Sequence, residues 1–361
     1  MAKNDAQKWL PRILISLLVA LRVSSWVYIV GMVAALILTK LFAEGHWMTT
    51  IFLYLPPGMW IAPLVVLVPV ASIFDRTQIL LHIAVIPLLF FHYMEWKPGS
   101  GLDPTSTNFI VISNNIGQNQ KTSFWKFSEA LHPDVIMLQD CGASVYRYQQ
   151  DYKKTKWNVA AIDQFAIMTR HTIISARTFT DELGRVPDGE EDLVAARFVI
   201  RVDGKDVVLY NIHLPTPRDA LGSLRGNGFI RSLFTGEGVY SSKVRKEFQA
   251  FMDRNRELAS HIIKEASRET LPAIIAGDFN APSQGLVANA FSKYFHDAHR
   301  LAGQGCGFTF PGQTRNPFSL FGPYLRIDHI YSNKYIIPDG SLVEMARVSQ
   351  HRAIAASFNL L

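Results

Sequence analysis

Apolar residues are concentrated in the first 97 positions of this 361-residue chain, where they form three runs. The first extends from about Ile13 to Leu38 with Arg22 as its only formal charge, and the second from about Thr50 to Ile73 without any. The third, from about Ile79 to Met94, is shorter. Because a helix needs roughly 20 apolar residues to cross a bilayer, residues 1–97 predict a transmembrane region of about three helices. A re-entrant or buried helix is the alternative for the third run.

Basic residues flanking these runs predict an orientation. They are more numerous on one side of the predicted helices than on the other: Lys3, Lys8, Arg12 and Arg76 against Lys40 and Lys97. Since Lys and Arg accumulate on the cytoplasmic side, the bias places the N-terminus inside. Three crossings then place everything after Trp96 outside the cytoplasm. If the third run does not cross, that assignment inverts.

The remaining chain has the pattern of a soluble domain. Residues 98–107 form a Pro/Gly/Ser-rich linker, and residues 108–361 can bury a core as one domain. Short runs of strand character recur: Phe109–Ser113, Val135–Leu138, Phe165–Thr169, Ile173–Ala176, Ala195–Val202, Asp206–Ile212, Ala273–Ala276, Arg326–Tyr331 and Ala353–Phe358. Helices are predicted over Lys121–Leu131 and Arg245–Ala266. This mixture favours two stacked sheets with helices outside, an α/β sandwich; a doubly wound parallel sheet is the alternative.

Charge and cysteine content say little about the binding partner or the cellular compartment. The net charge of +6 is compatible with an anionic lipid surface and with nucleic acid. The chain has two cysteines, Cys141 and Cys306. An extracytoplasmic compartment would permit a disulfide, but we expect two buried free thiols.

Candidate chemistry begins at the run 274–280, Ile-Ile-Ala-Gly-Asp-Phe-Asn, where an apolar strand ends in a turn. The turn carries a carboxylate at Asp278 and an amide at Asn280. A buried strand delivers its last side chains to one rim of the sheet with little freedom. Such a rim can hold a phosphate, a metal ion or an attacking water molecule.

Similar polar groups follow three other predicted strands. Asn115 offers an amide oxygen that can ligate a hard cation, although an Asx turn or a cap is the commoner role of Asn. Asp140 offers a carboxylate that suits Mg²⁺ or Mn²⁺, or a helix N-cap. His213 can donate a hydrogen bond to a phosphate oxygen or serve a structural role.

A fourth group combines Asp328 with His351. The period of a strand places Asp328 on one face and His329 on the other. An Asp paired with a His fixes the imidazole tautomer and stabilises its charged form, as in acid–base sites. Taken together, these polar strand ends indicate a phosphoesterase that uses a hard metal ion.

The same residues resemble the endonuclease/exonuclease/phosphatase (DNase I-like) superfamily. The motifs occur in the order seen there: Asn115, Gln139-Asp140, Asn211-Ile212-His213, Gly277-Asp278-Phe279-Asn280, Asp328 and Ser349-Gln350-His351. The resemblance covers about residues 108–361, and Gly-Asp-Phe-Asn is its most specific part. It implies a four-layer α/β sandwich and hydrolysis of phosphoesters that depends on Mg²⁺ (or Mn²⁺).

The resemblance also implies roles for individual residues. Asn115 and Asp140 are expected to hold the metal, and five residues are expected to be catalytic: His213, Asp278, Asn280, Asp328 and His351. Two positions depart from the family pattern. Asp140 stands where Glu is usual, and Gln350 stands where Asp is usual, so a negative charge is missing beside the last histidine.

The substrate is expected to be lipid-linked, because two segments mix basic and apolar residues on a domain tethered to a bilayer. These are residues 218–247 and 313–326. The layout is similar to that of bacterial family members anchored in the cytoplasmic membrane, so we expect a phosphatase or phosphodiesterase acting on a lipid-linked phosphate, a diphosphate or a phospholipid headgroup. The alternatives are a tethered extracytoplasmic nuclease and a degenerate, non-catalytic lipid-binding module.

Overall fold

Two six-stranded sheets lie face to face in the computed structural model, which describes residues 2–103, 108–117, 123–142, 157–178, 194–313, 319–320 and 322–359. The strands are β1 Lys97–Pro98, β2 Phe109–Asn115, β3 Val135–Gln139, β4 Asn158–Ile162, β5 Phe165–Thr169, β6 Thr172–Thr178, β7 Ala195–Val202, β8 Lys205–His213, β9 Ala273–Asp278, β10 His296–Asp297, β11 Gln304–Gly305, β12 Asp328–Ser332, β13 Ile337–Val343 and β14 Ile354–Asn359. One sheet has the order β13-β14-β2-β3-β5-β4 and the other β10-β12-β9-β8-β7-β6. Within them, β2 pairs with β3 and β8 with β9 in parallel.

Helices complete the layers. They are α1 Ala2–Phe42, α2 Trp47–Tyr54, α3 Gly58–Phe74, α4 Thr77–Pro87, α5 Trp125–Leu131, α6 Arg218–Arg225, α7 Phe229–Thr235, α8 Ser242–Ala266, α9 Leu286–Ser292 and α10 Ala298–Ala302. The predicted helix over Lys121–Leu131 begins at Trp125, and residues 121–122 lie outside the described part of the chain. The predicted strand over Arg326–Tyr331 begins only at Asp328, because Arg326 is turned into a buried ion pair with Asp297.

Alternating burial explains the sandwich. Val111 belongs to the core between the two sheets, whereas Ile110 and Ile112 face outward and pack with Phe127 of α5. The second sheet repeats the pattern: Leu209 faces the inner core, and Tyr210 packs on α8. Successive strand residues point to opposite faces, so each sheet needs a second apolar cover. The predicted four-layer α/β sandwich is confirmed, and the doubly wound alternative is wrong.

The apolar N-terminal region differs from the prediction of three spans. By length and composition, residues 11–45 form one helix that can cross a membrane. In the second run, α2 and α3 are bent by 75° relative to each other, so at most this pair forms a second, broken span. The break lies at Pro56-Pro57, since a proline lacks the amide donor and disfavours helix in the residue before it. The third run, 77–93, is shorter.

The predicted linker at 98–107 lies against the domain as far as the structure describes it. β1 pairs antiparallel with β11, and the side chain of Leu102 is buried in the outer core beside Ile110. Both cysteines are free, as expected, although Cys306 is only half-buried.

Close contact between β8 and β9 requires a glycine at position 277. Gly277 has φ of +151°, and a Cβ atom there would lie 1.9 Å from the main-chain oxygen of Ile212. The two strands approach here at the residue before Asp278, so this contact determines where the Asp278 carboxylate lies.

We therefore expect Gly277→Ala to lower the free energy of unfolding by roughly 3 kcal/mol or more, through strain and forced separation of the strands. Gly222→Ala is the matched control, since nothing lies within 4 Å of its Cβ position in α6. It should be neutral or stabilise by about 0.5–1 kcal/mol. Thermal unfolding in detergent checks both variants, and equal melting temperatures would contradict the expectation.

Candidate active site

Strand direction brings the predicted residues to one edge of both sheets. The parallel strands β2 and β3 end there at Asn115 and Gln139, which are register partners. The parallel strands β8 and β9 end there at His213 and Asp278. β12 runs antiparallel to β9 and begins at Asp328, opposite Asp278. β14 begins beside the end of β2, so His351 arrives at the same edge.

Asp278 lies at the centre of this edge with only 1% of its surface exposed. Asn115 Nδ2 donates to Asp278 Oδ2 over 2.9 Å, and the main-chain N–H of Asn280 donates to Oδ1 over 2.8 Å. The Nε2 atoms of His351 and His213 lie 3.5 and 3.7 Å from Oδ2. A buried carboxylate is costly unless donors surround it, and four groups do so here.

His351 and Asp328 form the predicted Asp–His pair. Asp328 Oδ2 lies 2.9 Å from His351 Nδ1, and both residues are buried. Burial lowers the pKa of His351, but the charges of Asp328 and then Asp278 outweigh it and raise this pKa to about 9. Burial raises the pKa of Asp328, His351 lowers it, and Asp278 raises it again. We assign the shared proton to His351, because each of its ring nitrogens faces a carboxylate.

His213 is held from the other sheet. Its Nδ1 faces Gln164 Oε1 in the turn between β4 and β5, which leaves Nε2 directed toward Asp278. Nδ1 donates to the Gln164 oxygen, so Nε2 is a second donor only when the imidazole carries both protons. The histidine is half-buried and therefore reaches solvent at the rim.

Asn280 supports the turn that carries Asp278. It adopts a left-handed conformation with φ of +47°, and its Nδ2 donates to the main-chain oxygen of Leu214 over 2.8 Å. Asparagine tolerates this conformation better than most residues. Its contacts thus hold the turn after β9 against the end of β8.

Hard oxygen donors at the edge suit a divalent metal. Asn115 lies at the end of β2, and Asp140 follows its register partner at the end of β3. Carboxylate and amide oxygens are the donors that Mg²⁺ and Mn²⁺ prefer. Asn115 Oδ1 accepts the main-chain N–H of Gly117 over 2.9 Å, the Asx turn given as its alternative role, and keeps a second lone pair that fits such an ion. Asp278, Asp328 and His351 also lie close enough together to enclose a cation. Protonation of His351 argues against it as a ligand, because both of its nitrogens are then donors.

Two residues of the motifs, Gln139 and Asn211, belong to a buried hydrogen-bond network that supports the fold. Gln139 Nε2 donates to Asn211 Oδ1 over 2.7 Å and to Ser113 Oγ over 3.0 Å, and both amides are fully buried. Asn211 Nδ2 in turn donates to the main-chain oxygens of Leu138 and Ala166. This network joins the two sheets directly beneath the site.

Some site residues were not among the predicted ones. Gln164 bonds to His213, and Thr309 Oγ1 accepts from the main-chain N–H of Asp328 over 3.4 Å. The Oη of Tyr54, from the apolar region, donates to the main-chain oxygen of Asn280 over 2.8 Å. None of the three has a local sequence signal, because each contacts a partner far along the chain.

The Asp–His pair generates a prediction. Histidines are labelled at ¹³Cε1, and the His351 signal is assigned by its loss in His351→Asn. His351 should titrate near pH 9, because its pKa is raised. In Asp328→Asn the pKa should fall by more than one unit, because the nearest carboxylate charge is removed. NMR titration of both proteins checks this; titration near pH 6.5 in each would contradict the pairing.

Comparison with known proteins identifies the family of the chain. The model of the Endonuclease/Exonuclease/phosphatase family matches residues 115–351, more than half of the 361-residue chain. No curated protein sequence matches the chain significantly.

The chain is also similar to several solved structures. The endonuclease/exonuclease/phosphatase from Bacteroides vulgatus is 16% identical and covers 71% of this chain and 100% of its own, with a TM-score of 0.50. The D. rerio TDP2 humanized by 14 mutations is 17% identical (70% and 100% covered, TM-score 0.49). The human Nocturnin catalytic domain is 14% identical (73% and 99%, TM-score 0.48). Since the matched range begins at Asn115 and ends at His351, two residues of this site, the chain belongs to the endonuclease/exonuclease/phosphatase family.

Proposed function

We propose that this protein is a membrane-anchored phosphoester hydrolase that depends on a divalent metal and acts on a lipid-linked phosphate, a lipid-linked diphosphate or a phospholipid headgroup. Members of its family hydrolyse phosphoesters. The observation that carries the proposal is the buried Asp278 carboxylate, which lies between Asn115, His213 and His351. Such a group can orient and deprotonate a water molecule while the neighbouring donors hold a phosphoryl group.

Each residue has a step in the proposed mechanism. Asp278 orients or deprotonates the attacking water, which Asn280 helps to position. The water attacks phosphorus in line with the leaving group, without a covalent enzyme intermediate. His351 and His213 donate to phosphoryl oxygens when both of their ring nitrogens carry protons, and Asp328 keeps His351 charged.

A Mg²⁺ or Mn²⁺ ion held by Asn115 and Asp140 would withdraw charge from a phosphate oxygen. Gln350 does not supply the negative charge that a second cation would need nearby, so we propose a single metal. Arg218 Nη2 lies 3.5 Å from Gln350 Oε1 and places a positive charge at the same end of the site.

Membrane anchoring is supported by the surface of α1. Its apolar residues Val27, Val30 and Leu41 are each more than half exposed, which a water-soluble helix avoids. We propose a location in the bacterial cytoplasmic membrane. With the N-terminus inside, as the basic residues indicate, an odd number of crossings places the catalytic domain outside the cytoplasm, the side that we favour, and an even number places it inside.

The segment 218–247 supports a lipid substrate. It forms α6 and α7, whose Leu224 packs with Phe248 beside Trp47 of the apolar region. α7 exposes Leu233 and Phe234, the latter with 84% of its surface accessible. Part of the segment therefore packs on the domain, and part exposes apolar side chains that can contact a lipid surface.

Turnover by full-length protein in detergent tests the function. A panel of lipid phosphates and phospholipids, with plasmid DNA as a separate arm, should show release of phosphate or headgroup only with Mg²⁺ or Mn²⁺ and not with EDTA. Asp278→Asn should lower kcat at least 10³-fold, because it removes the group that activates water. Asp206→Asn, at the opposite end of β8, should retain wild-type rates.

Other outcomes decide against parts of the proposal. Cleavage of DNA alone would replace the lipid substrate by a nucleic acid. No turnover of any substrate by folded protein would identify a degenerate, non-catalytic module. Equal loss in Asp278→Asn and Asp206→Asn would remove the special role of Asp278.

Arg218 provides a separate prediction. As an exposed cation 3.5 Å from Gln350, it can bind substrate phosphate, so Arg218→Gln should raise KM about tenfold while kcat changes little. Arg268→Gln is the control: Arg268 is exposed and follows α8 at the edge where β9 begins, away from the site. An unchanged KM in Arg218→Gln would contradict phosphate binding by this residue.

A further inference from the structure

Three points of the apolar N-terminal region contact the segment that follows Asp278. The first is Tyr54, the last residue of α2, whose Oη donates to the main-chain oxygen of Asn280 over 2.8 Å. This hydrogen bond is partly buried and joins residues 226 positions apart. It reaches the turn that carries the central carboxylate.

The second point is Glu44, which is fully buried. Its carboxylate accepts the main-chain N–H of Leu286, the first residue of α9, and its main-chain oxygen accepts from Gln249 Nε2 over 3.0 Å. A Cβ atom at Gly285 would lie 1.9 Å from Glu44 Oε1, so the carboxylate and the segment are in close contact.

The third point lies after α4. Gln284 Nε2 donates to the main-chain oxygens of His92 and Tyr93. Beside it, Glu95 forms ion pairs with Arg300 over 3.0 Å and with Arg326 over 3.3 Å, two residues before Asp328. Positions 280, 284 and 286 are thus each held by a different part of the apolar region.

We propose that the apolar region is a structural part of the active site and that Tyr54 is a positioning residue for the turn 278–280. This inference rests on the proposed hydrolase activity. Asn280 must direct its N–H to Asp278 Oδ1, and it does so in a left-handed conformation. Its carbonyl is bound by Tyr54, so the peptide planes on both sides of the residue are determined. Without the Tyr54 hydroxyl the carbonyl loses its partner, and the turn can leave the conformation that orients the carboxylate.

The test compares two Tyr→Phe variants of the full-length protein. Tyr54→Phe removes the hydroxyl at Asn280, whereas Tyr28→Phe removes an equivalent donor to the main-chain oxygen of Trp60, at 2.7 Å, within the apolar region. Rates are measured in detergent with whichever substrate the wild type turns over, and with bis-p-nitrophenyl phosphate, so that presentation by a bilayer does not matter.

We expect Tyr54→Phe to lower kcat about tenfold, equivalent to about 1.4 kcal/mol, while KM and the melting temperature change little. Tyr28→Phe should retain wild-type kcat. Unchanged kcat in Tyr54→Phe, or equal losses in both variants, would overturn the positioning role.

Hydrogen–deuterium exchange gives a readout that is independent of turnover. In Tyr54→Phe, peptides that cover residues 278–286 should exchange faster than in wild type, and in Tyr28→Phe they should not. If the wild type hydrolyses nothing, the proposed function fails while this comparison still decides the structural inference. Unchanged exchange at 278–286 in Tyr54→Phe would overturn it.

Discussion

The buried negative charge of Asp278 is the constraint on which the rest of the site depends. A carboxylate with almost no exposure is unstable unless hydrogen-bond donors and positive charges compensate for lost water. Asn115 comes from one sheet and His213 from the other, so compensation requires both sheets to end at the same level. The Gln139–Asn211 hydrogen bond beneath the site maintains that arrangement. The contacts that hold the two sheets together therefore also position the residues of the site.

Much of this arrangement could be predicted from the sequence, because strands have a simple period. Apolar runs that end in a polar residue locate Asn115 and Asp278, and alternation places Asp328 and His329 on opposite faces. His329 indeed packs outward, where its Nε2 donates to the main-chain oxygen of Ala281 over 3.1 Å. β4 and β13 were missed, because β4 is only half-buried and β13 contains Pro338 and Gly340. Roles of individual residues came from the family resemblance, and the structure supplies their contacts.

The apolar region shows where sequence patterns are insufficient. Composition predicts that its runs are helical, and they are, but the number of spans depends on two adjacent prolines. Its contacts with the domain could not be predicted at all. Tyr54, Glu44 and Gln284 are single polar residues without periodicity, and their partners lie 191 to 242 positions away. A long-range hydrogen bond between an apolar segment and a catalytic turn leaves no local trace in composition or spacing.

The backbone conformation at Asp140 bears on one departure from the family pattern, the Asp that stands where Glu is usual. Asp140 adopts a left-handed conformation with φ of +56°, which Asp and Asn accept far more readily than Glu. The shorter acid in place of the usual Glu is therefore linked to the shape of the chain as it leaves β3. Replacing Asp140 by Glu would therefore put a residue that disfavours this conformation at the end of β3, so side-chain length and backbone geometry are coupled at this position.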